Sequence, residues 1–315
     1  MSDLKDEFER NGYVVIKNIF KENELSKLRK DIVLSFQKRA EILKSNPPKQ
    51  LRPGVLFDEL PQVVGLQFNR RITDACREIF GDYYYVNDLA VSRNIEVPLT
   101  GGGWHIDAGS NFSIRYINRD LSVANHKLAK IGVYLQDEKC PYGASINLIP
   151  GTHRMGEFAQ KVLNRILLWM EKIPWFKNDG AFRLVGAKNM DSVIAAGDCV
   201  IFDCRIFHRS SWGRKRAPSD NRLDEKDDKL TVYWEVGDKN SAMRFIKTDL
   251  MRSLAHEIEK NEIYFEEKPF SHYLRFKFPD DYPDWYVKGI ADSRSRVAQL
   301  ENAKEIDIAR RIYAP

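Results

Sequence analysis

No stretch of this chain is apolar for long enough to cross a bilayer as a helix, and its opening residues, MSDLKDEFERNG, lack the apolar core of a secretory signal. A cytoplasmic location is the expectation. Cysteine is scarce. The four present, Cys76, Cys140, Cys199 and Cys204, form no CxxC pair, which argues against a zinc site or a disulfide framework and for structural thiols that stay reduced. Excess charge of one sign is missing too. Fifty Lys and Arg against 45 Asp and Glu leave a formal net charge of +5, far short of a nucleic-acid footprint yet compatible with an anionic small molecule. The expected partner is therefore a small-molecule substrate, with no nucleic acid and no integral membrane segment. Repeats and low-complexity tracts are also absent.

What is present suffices for a large core: 43% of the residues are hydrophobic and 30% charged. We expect one catalytic domain over residues 1–315. Its parts would be a helical and β N-terminal portion (1–82), a β core (83–238) interrupted by a helical insertion (155–190), and a helical, aromatic extension (239–315). Leu25, Leu28, Ile32 and Phe36 recur at helical spacing between Asn23 and about Ser45, ahead of Pro47-Pro48. The segment from Asn46 to Gln67, with Pro47, Pro48, Pro53 and Pro61, reads as a loop, and Ile72 to Phe80 as a second helix. Strands are expected at Tyr83–Val97, Lys130–Gln136, Ser145–Ile149, Val193–Ala195, Cys199–Asp203 and Leu230–Val236. Turn residues rather than helices separate them, which favours antiparallel pairing. The fold class is thus mainly β with flanking helices, around a double-stranded β-helix (jelly-roll, cupin-like) core.

One constellation carries chemistry. In Trp104-His105-Ile106-Asp107 an imidazole and a carboxylate two residues apart on an extended segment point to the same side, and His208, much later, supplies a second imidazole. Two nitrogens and one oxygen on one face of an octahedral metal leave three positions open, the ligand set of a non-haem Fe(II) oxygenase. An all-thiolate set would instead select zinc or an iron–sulfur cluster.

Text around these residues strengthens the reading. The opening FERNGYVVIKNIFKENELSKLRK (8–30), the hairpin YLQDEKCPYGASINLIPGTH (134–153) and the run GDCVIFDCRIFHRS (197–210) stand in order around His105 and Asp107. Together they resemble the phytanoyl-CoA dioxygenase family over about residues 8–236. The resemblance implies an Fe(II)/2-oxoglutarate-dependent dioxygenase with His105, Asp107 and His208 as metal ligands and catalytic centre. It also implies 2-oxoglutarate and O2 as co-substrates, with hydroxylation of an unactivated C–H bond and release of succinate and CO2. Halogenating relatives replace the carboxylate with a small residue, so Asp107 argues for hydroxylation or a related oxidation such as desaturation, ring closure or demethylation. A protein-modifying hydroxylase, a non-oxygenase metal-binding cupin-type protein and a non-catalytic binding protein are the alternatives.

The far carboxylate of 2-oxoglutarate needs a cation near the second histidine. The family's Arg at the start of the following strand is missing, and the run after His208 is long and charged. If Leu230, Val232, Trp234 and Val236 face a helical layer, then Lys229, Thr231, Tyr233 and Glu235 face the interior, which puts Lys229 in the anchoring place. Arg214 competes for the role, ahead of Arg216 and Arg222, and the resemblance implies that Ser210 helps hold the same carboxylate. Gly213 stands where the family has an Asn.

The remaining polar candidates read blandly. His153, in Pro-Gly-Thr-His, is expected to shape the mouth rather than bind metal, and Asp198 to serve its turn. His126, His256 and His272 have no motif around them. Arg115, Arg119, Arg205 and Arg209 are candidates for the mouth. In the insertion, Phe158, Val162, Ile166 and Trp169, widened by Leu163, Leu167 and Met170, form an apolar stripe. It is expected to pack on the barrel, with a substrate lid or a membrane-surface helix as alternatives. Tyr273, Phe276, Phe278, Tyr282, Trp285 and Tyr286 in the C-terminal extension are expected to pack on the core or on a second subunit.

Overall fold

The computed structural model describes residues 3–44, 48, 50–51, 56, 59–93, 103–107, 127–173, 179–211 and 228–238. The expectations for the 239–315 extension, and for His126, Arg115, Arg119, Arg214, Arg216 and Arg222, fall outside them.

Asp3 caps the first helix by accepting the Lys5 N–H (2.9 Å), and α1 (Leu4–Asn11) ends where Gly12 takes a left-handed φ of 82°. A Cβ at Gly12 would lie 2.5 Å from His153 Nδ1, so the turn needs glycine for space as well as for φ. Then come β1 (Tyr13–Ile16) and the long α2 (Glu22–Leu43), which buries Leu28, Ile32 and Phe36 as their spacing predicts. The expected loop at 46–67 contains regular structure: β2 (Gln50–Leu51) and α3 (Pro61–Gly65) lie within it. Pro61 opens α3, the one helical position where its missing N–H costs nothing. Asn69 caps α4 (Arg70–Phe80). The strands β3 (Tyr84–Arg93), β4 (Leu128–Tyr134) and β5 (Ile146–Leu148) precede the insertion helix α5 (Glu157–Lys172). β6 (Lys188–Asn189), β7 (Asp198–Asp203), β8 (His208–Ser210) and β9 (Leu230–Gly237) follow. Val193–Ala195 is a turn rather than the expected strand; the strand of that stretch is β6, with the Asn189 side chain accepting the Asp191 N–H just beyond it (2.7 Å).

Among the described residues every strand pair is antiparallel. Six strands run in the order β1-β7-β4-β9-β3-β2 and three in the order β6-β5-β8. The result is a mainly β fold with flanking helices, and among the described residues the sheets do not close into a barrel. Period-two alternation sorts the large sheet's side chains. Leu230, Val232, Trp234 and Val236 of β9, with Ala129, Ile131 and Val133 of β4, join one core with the N-terminal helices. Tyr134, Val200 and Phe202 point the other way and pack with Ile146 and Leu148 of the small sheet. Burying each large side chain contributes roughly 1.5–3 kcal/mol, so a one-residue register slip would cost many times the effect of any surface contact.

The small sheet's outer side is covered by the insertion: Leu167 and Met170 of α5 pack with Trp104, Ile149, Phe182 and Phe207. The buried stripe is therefore Leu163, Leu167 and Met170, whereas Phe158 (82% exposed), Val162, Ile166 and Trp169 (61%) turn outward. This corrects the expected facing by about one helical step, because Glu171 and Leu167, not Trp169, meet the segment at Trp104. All four cysteines are buried, and none forms a disulfide. No helix of the described residues is long and apolar enough to cross a membrane.

Candidate active site

A single backbone exchange brings the two distant parts of the motif together. His105 N–H donates to the His208 carbonyl (3.0 Å) and His208 N–H to that of His105 (2.9 Å), leaving their rings 4.3 Å apart. Asp107, two residues on, falls on the same side as His105. Its Oδ1 lies 3.8 Å from His105 Nε2 and its Oδ2 3.5 Å from His208 Nε2. All three potential ligand atoms lie within 4.8 Å of one another.

Tautomers are set by the backbone. His105 Nδ1 faces the Gly103 carbonyl (2.7 Å) and His208 Nδ1 the Ile206 carbonyl (3.0 Å). A carbonyl oxygen only accepts, so each Nδ1 carries the hydrogen and each Nε2 presents its lone pair toward Asp107. Burial pushes the His208 pKa down to about 3 against the pull of Asp107, which keeps this imidazole neutral, as a metal ligand must be. Burial alone would raise the Asp107 carboxyl, but Lys130, His208 and His105, with a hydrogen bond from Lys130, hold it well below the usual carboxylate range. Two imidazole nitrogens and an ionised oxygen form a donor set that fits Fe(II).

Lys130 is a feature the sequence reading missed. Its ammonium bridges Asp107 Oδ2 (3.1 Å) and the buried Glu235 Oε1 (3.1 Å) and lies 5.8 Å from the Tyr233 ring centre. The available signal was alternation: in LAKIGVY, Lys130 shares a face with Gly132 and Tyr134 and opposes Ala129, Ile131 and Val133. Tyr134 and Tyr233 approach through their hydroxyls (3.4 Å), and burial raises both, so they are phenols with hydrogens to donate.

Lys229 lies where alternation put it. The buried ammonium donates to Ser210 Oγ (2.7 Å), the Ser145 carbonyl (2.8 Å) and Ser211 Oγ (3.4 Å). Ser210 is two residues beyond His208 on β8, which separates the two backbone positions by about 6.6 Å at the rise of a strand. The entry to β9 is fixed by Arg93, whose guanidinium pairs with both oxygens of Asp228 (2.7 and 3.3 Å), and by Arg29, which donates to the Asp228 carbonyl (3.1 Å).

Other candidates lie elsewhere. Arg209 is fully buried between the Trp104 and Phe182 rings (5.0 and 4.3 Å), on the outer side of its strand, because it alternates with His208 and Ser210. Arg205 pairs with Asp203 (2.6 Å). His153 Nε2 faces the Glu9 carbonyl (3.0 Å) and is not part of the metal-ready group. Asp198 serves its turn by accepting from Lys17, Asn18 N–H and Ala195 N–H (each 2.8 Å).

The phytanoyl-CoA dioxygenase family model matches residues 8–214, about two thirds of the chain and the whole of the His105, Asp107 and His208 set. The chain belongs to that family. It is accordingly an oxygenase of the Fe(II)- and 2-oxoglutarate-dependent kind. Solved structures agree on the fold. HygX from Streptomyces hygroscopicus, with nickel and 2-oxoglutarate bound, is 16% identical over 76% of this chain and 87% of its own, with a TM-score of 0.51. EctD from S. alaskensis, with bound Fe, is 16% identical over 75% of this chain and 76% of its own, with a TM-score of 0.50. No curated protein matches the chain by sequence.

Proposed function

We propose that this oxygenase hydroxylates an unactivated C–H bond of a small molecule, with Fe(II) held by His105, Asp107 and His208 and the far carboxylate of 2-oxoglutarate held by Lys229 and Ser210. The observation that carries the reading is the pairing of the two groups: a metal-ready face of two Nε2 lone pairs and a carboxylate, and a buried ammonium one strand repeat away on the same side of β8. Iron, when bound, supplies the dioxygen chemistry that couples decarboxylation of 2-oxoglutarate, to succinate and CO2, to oxidation of the substrate.

The chain's residues do the rest. The Gly103 and Ile206 carbonyls hold the imidazoles in the ligating tautomer. Lys130 fixes the Asp107 carboxylate and keeps it ionised. The Lys229 ammonium and Ser210 hydroxyl pair with a carboxylate. Arg93 and Arg29 hold the Asp228–Lys229 corner, so the cation is oriented before the co-substrate arrives. We place all of this in a single catalytic domain, with Arg214 the competing anchor.

The test is anaerobic titration of Fe(II)-loaded protein with 2-oxoglutarate, following the visible charge-transfer band of a bidentate chelate. The band is expected in the native protein, and His105→Ala, Asp107→Ala and His208→Ala should each lose bound iron and the band together. Iron binding without a band would overturn the anchor and favour a cupin-type metal protein. A band that survives all three substitutions would overturn the ligand assignment.

A further inference from the structure

Each of the paired imidazoles is held by one peptide group, and the two peptides are built alike. The Gly103–Trp104 peptide accepts from His105 Nδ1 at its carbonyl (2.7 Å), while its N–H donates to Glu171 Oε1 (2.9 Å). The Ile206–Phe207 peptide accepts from His208 Nδ1 (3.0 Å), while its N–H donates to Thr152 Oγ1 (3.0 Å). The Thr152 hydroxyl in turn donates to the Ile149 carbonyl (2.8 Å).

In both cases an acceptor, a peptide and an imidazole stand in series, with Nε2 at the open end. Hydrogen bonds in series polarise one another, so an acceptor on the N–H side of a peptide makes its carbonyl a stronger acceptor for Nδ1–H. That orients the ring and raises the basicity of Nε2, as a carboxylate does when it meets a ligating histidine directly. The two series differ at their far ends. His105 has a carboxylate there and His208 a hydroxyl, and the charged end is the stronger.

We propose that Glu171 is a positioning residue for the metal site, acting on His105 through the Gly103–Trp104 peptide; the inference rests on the reading of His105 as an iron ligand. Two further observations support it. Glu171 sits in the last turn of α5, at the negative end of the helix dipole, so the helix itself gains nothing from an acid at this position. A Cβ at Gly103 would collide with the Glu171 carboxylate, so glycine is what lets the acid close on the peptide. Trp104, fully buried against Phe182 (5.6 Å between ring centres) and packed with Leu167 and Met170, locks α5 to the segment that carries His105. The insertion thereby contributes to the metal site without touching the metal.

Anaerobic Fe(II) and Co(II) binding isotherms of the native protein, Glu171→Gln and Glu171→Ala test this. Glu171→Ala should weaken metal binding by about 10- to 100-fold, the usual effect of removing such a partner. Glu171→Gln keeps an amide oxygen for the Trp104 N–H and should recover at least part of that loss. In the Co(II)-loaded Gln variant, the shifted Nδ1–H proton resonance of His105 should move while that of His208 stays. The inference is overturned if Ala binds metal within twofold of the native protein, if Gln falls as far as Ala, or if the two resonances move equally. If Glu171→Ala does not fold, the resonances of the Gln variant decide alone. Failure of the native protein to bind either metal would overturn the iron reading itself, and is thereby distinguishable from failure of the Glu171 inference.

Discussion

Replacing Lys229 by methionine keeps the length and apolar stem of the side chain and deletes the ammonium. In the native protein that ammonium is 3% exposed and sits 2.7 Å from Ser210 Oγ and 2.8 Å from the Ser145 carbonyl. A co-substrate carboxylate arriving beside Ser210 would form a charge-assisted hydrogen bond with it, an interaction of about 1.5–3 kcal/mol. At about 1.4 kcal/mol per tenfold, the dissociation constant of 2-oxoglutarate should rise about 10- to 150-fold in Lys229→Met. Binding of the far carboxylate is the same in ground and transition states, so kcat at saturating 2-oxoglutarate should change little. Ser210→Ala, which removes a neutral partner, should cost about 1 kcal/mol, or roughly fivefold. The assay is the anaerobic charge-transfer titration, with succinate formation as the kinetic counterpart. An affinity within threefold of native in a folded Lys229→Met protein would refute the anchor, and a large loss in Arg214→Ala alone would transfer the role to that residue.

Two stability predictions follow from buried charge. Asp228→Ala leaves the Arg93 guanidinium, 2% exposed, without its carboxylate and should destabilise the protein by about 3–5 kcal/mol in urea unfolding; a change under about 1 kcal/mol would contradict the pairing as a structural element. Glu59 accepts from Ser35 Oγ (2.7 Å), Lys38 (2.8 Å) and Arg39 (3.0 Å). Burial raises its carboxyl, yet these partners lower it below 4.5 on balance. In that range the unfolded chain binds more protons than the folded one, so this contribution is present above pH 4.5 and is lost as the pH falls below it. Glu59→Gln should therefore be less stable than the native protein at neutral pH, and the gap should narrow on acidification; a gap independent of pH would refute the assignment.

Much of the candidate site was legible because its chemistry is local in sequence. His105 and Asp107 are two residues apart, and alternation along an extended segment puts them on one side whatever surrounds them. The same period-two rule placed Lys229 opposite the Leu230, Val232, Trp234 and Val236 face, and that face packs on the helices. Arg209, expected at the mouth, instead falls on the outer face of β8, where the same rule sets it opposite His208 and Ser210. Helical spacing misjudged α5, where apolar residues on two adjacent stripes compete and only the partner surface decides which is buried.

By itself, the sequence determined the donor types, the antiparallel β class and the side of each strand on which a residue falls, since these follow from residue chemistry and backbone periodicity. Tertiary structure decided which distant groups meet. Lys130 bridges Asp107 and Glu235, Arg93 clamps Asp228, and Glu171 and Thr152 close on the peptides behind the two histidines. None of these pairs is close along the chain, and a hydrogen bond or ion pair depends on separation and direction in space, which strand order and helix docking alone supply.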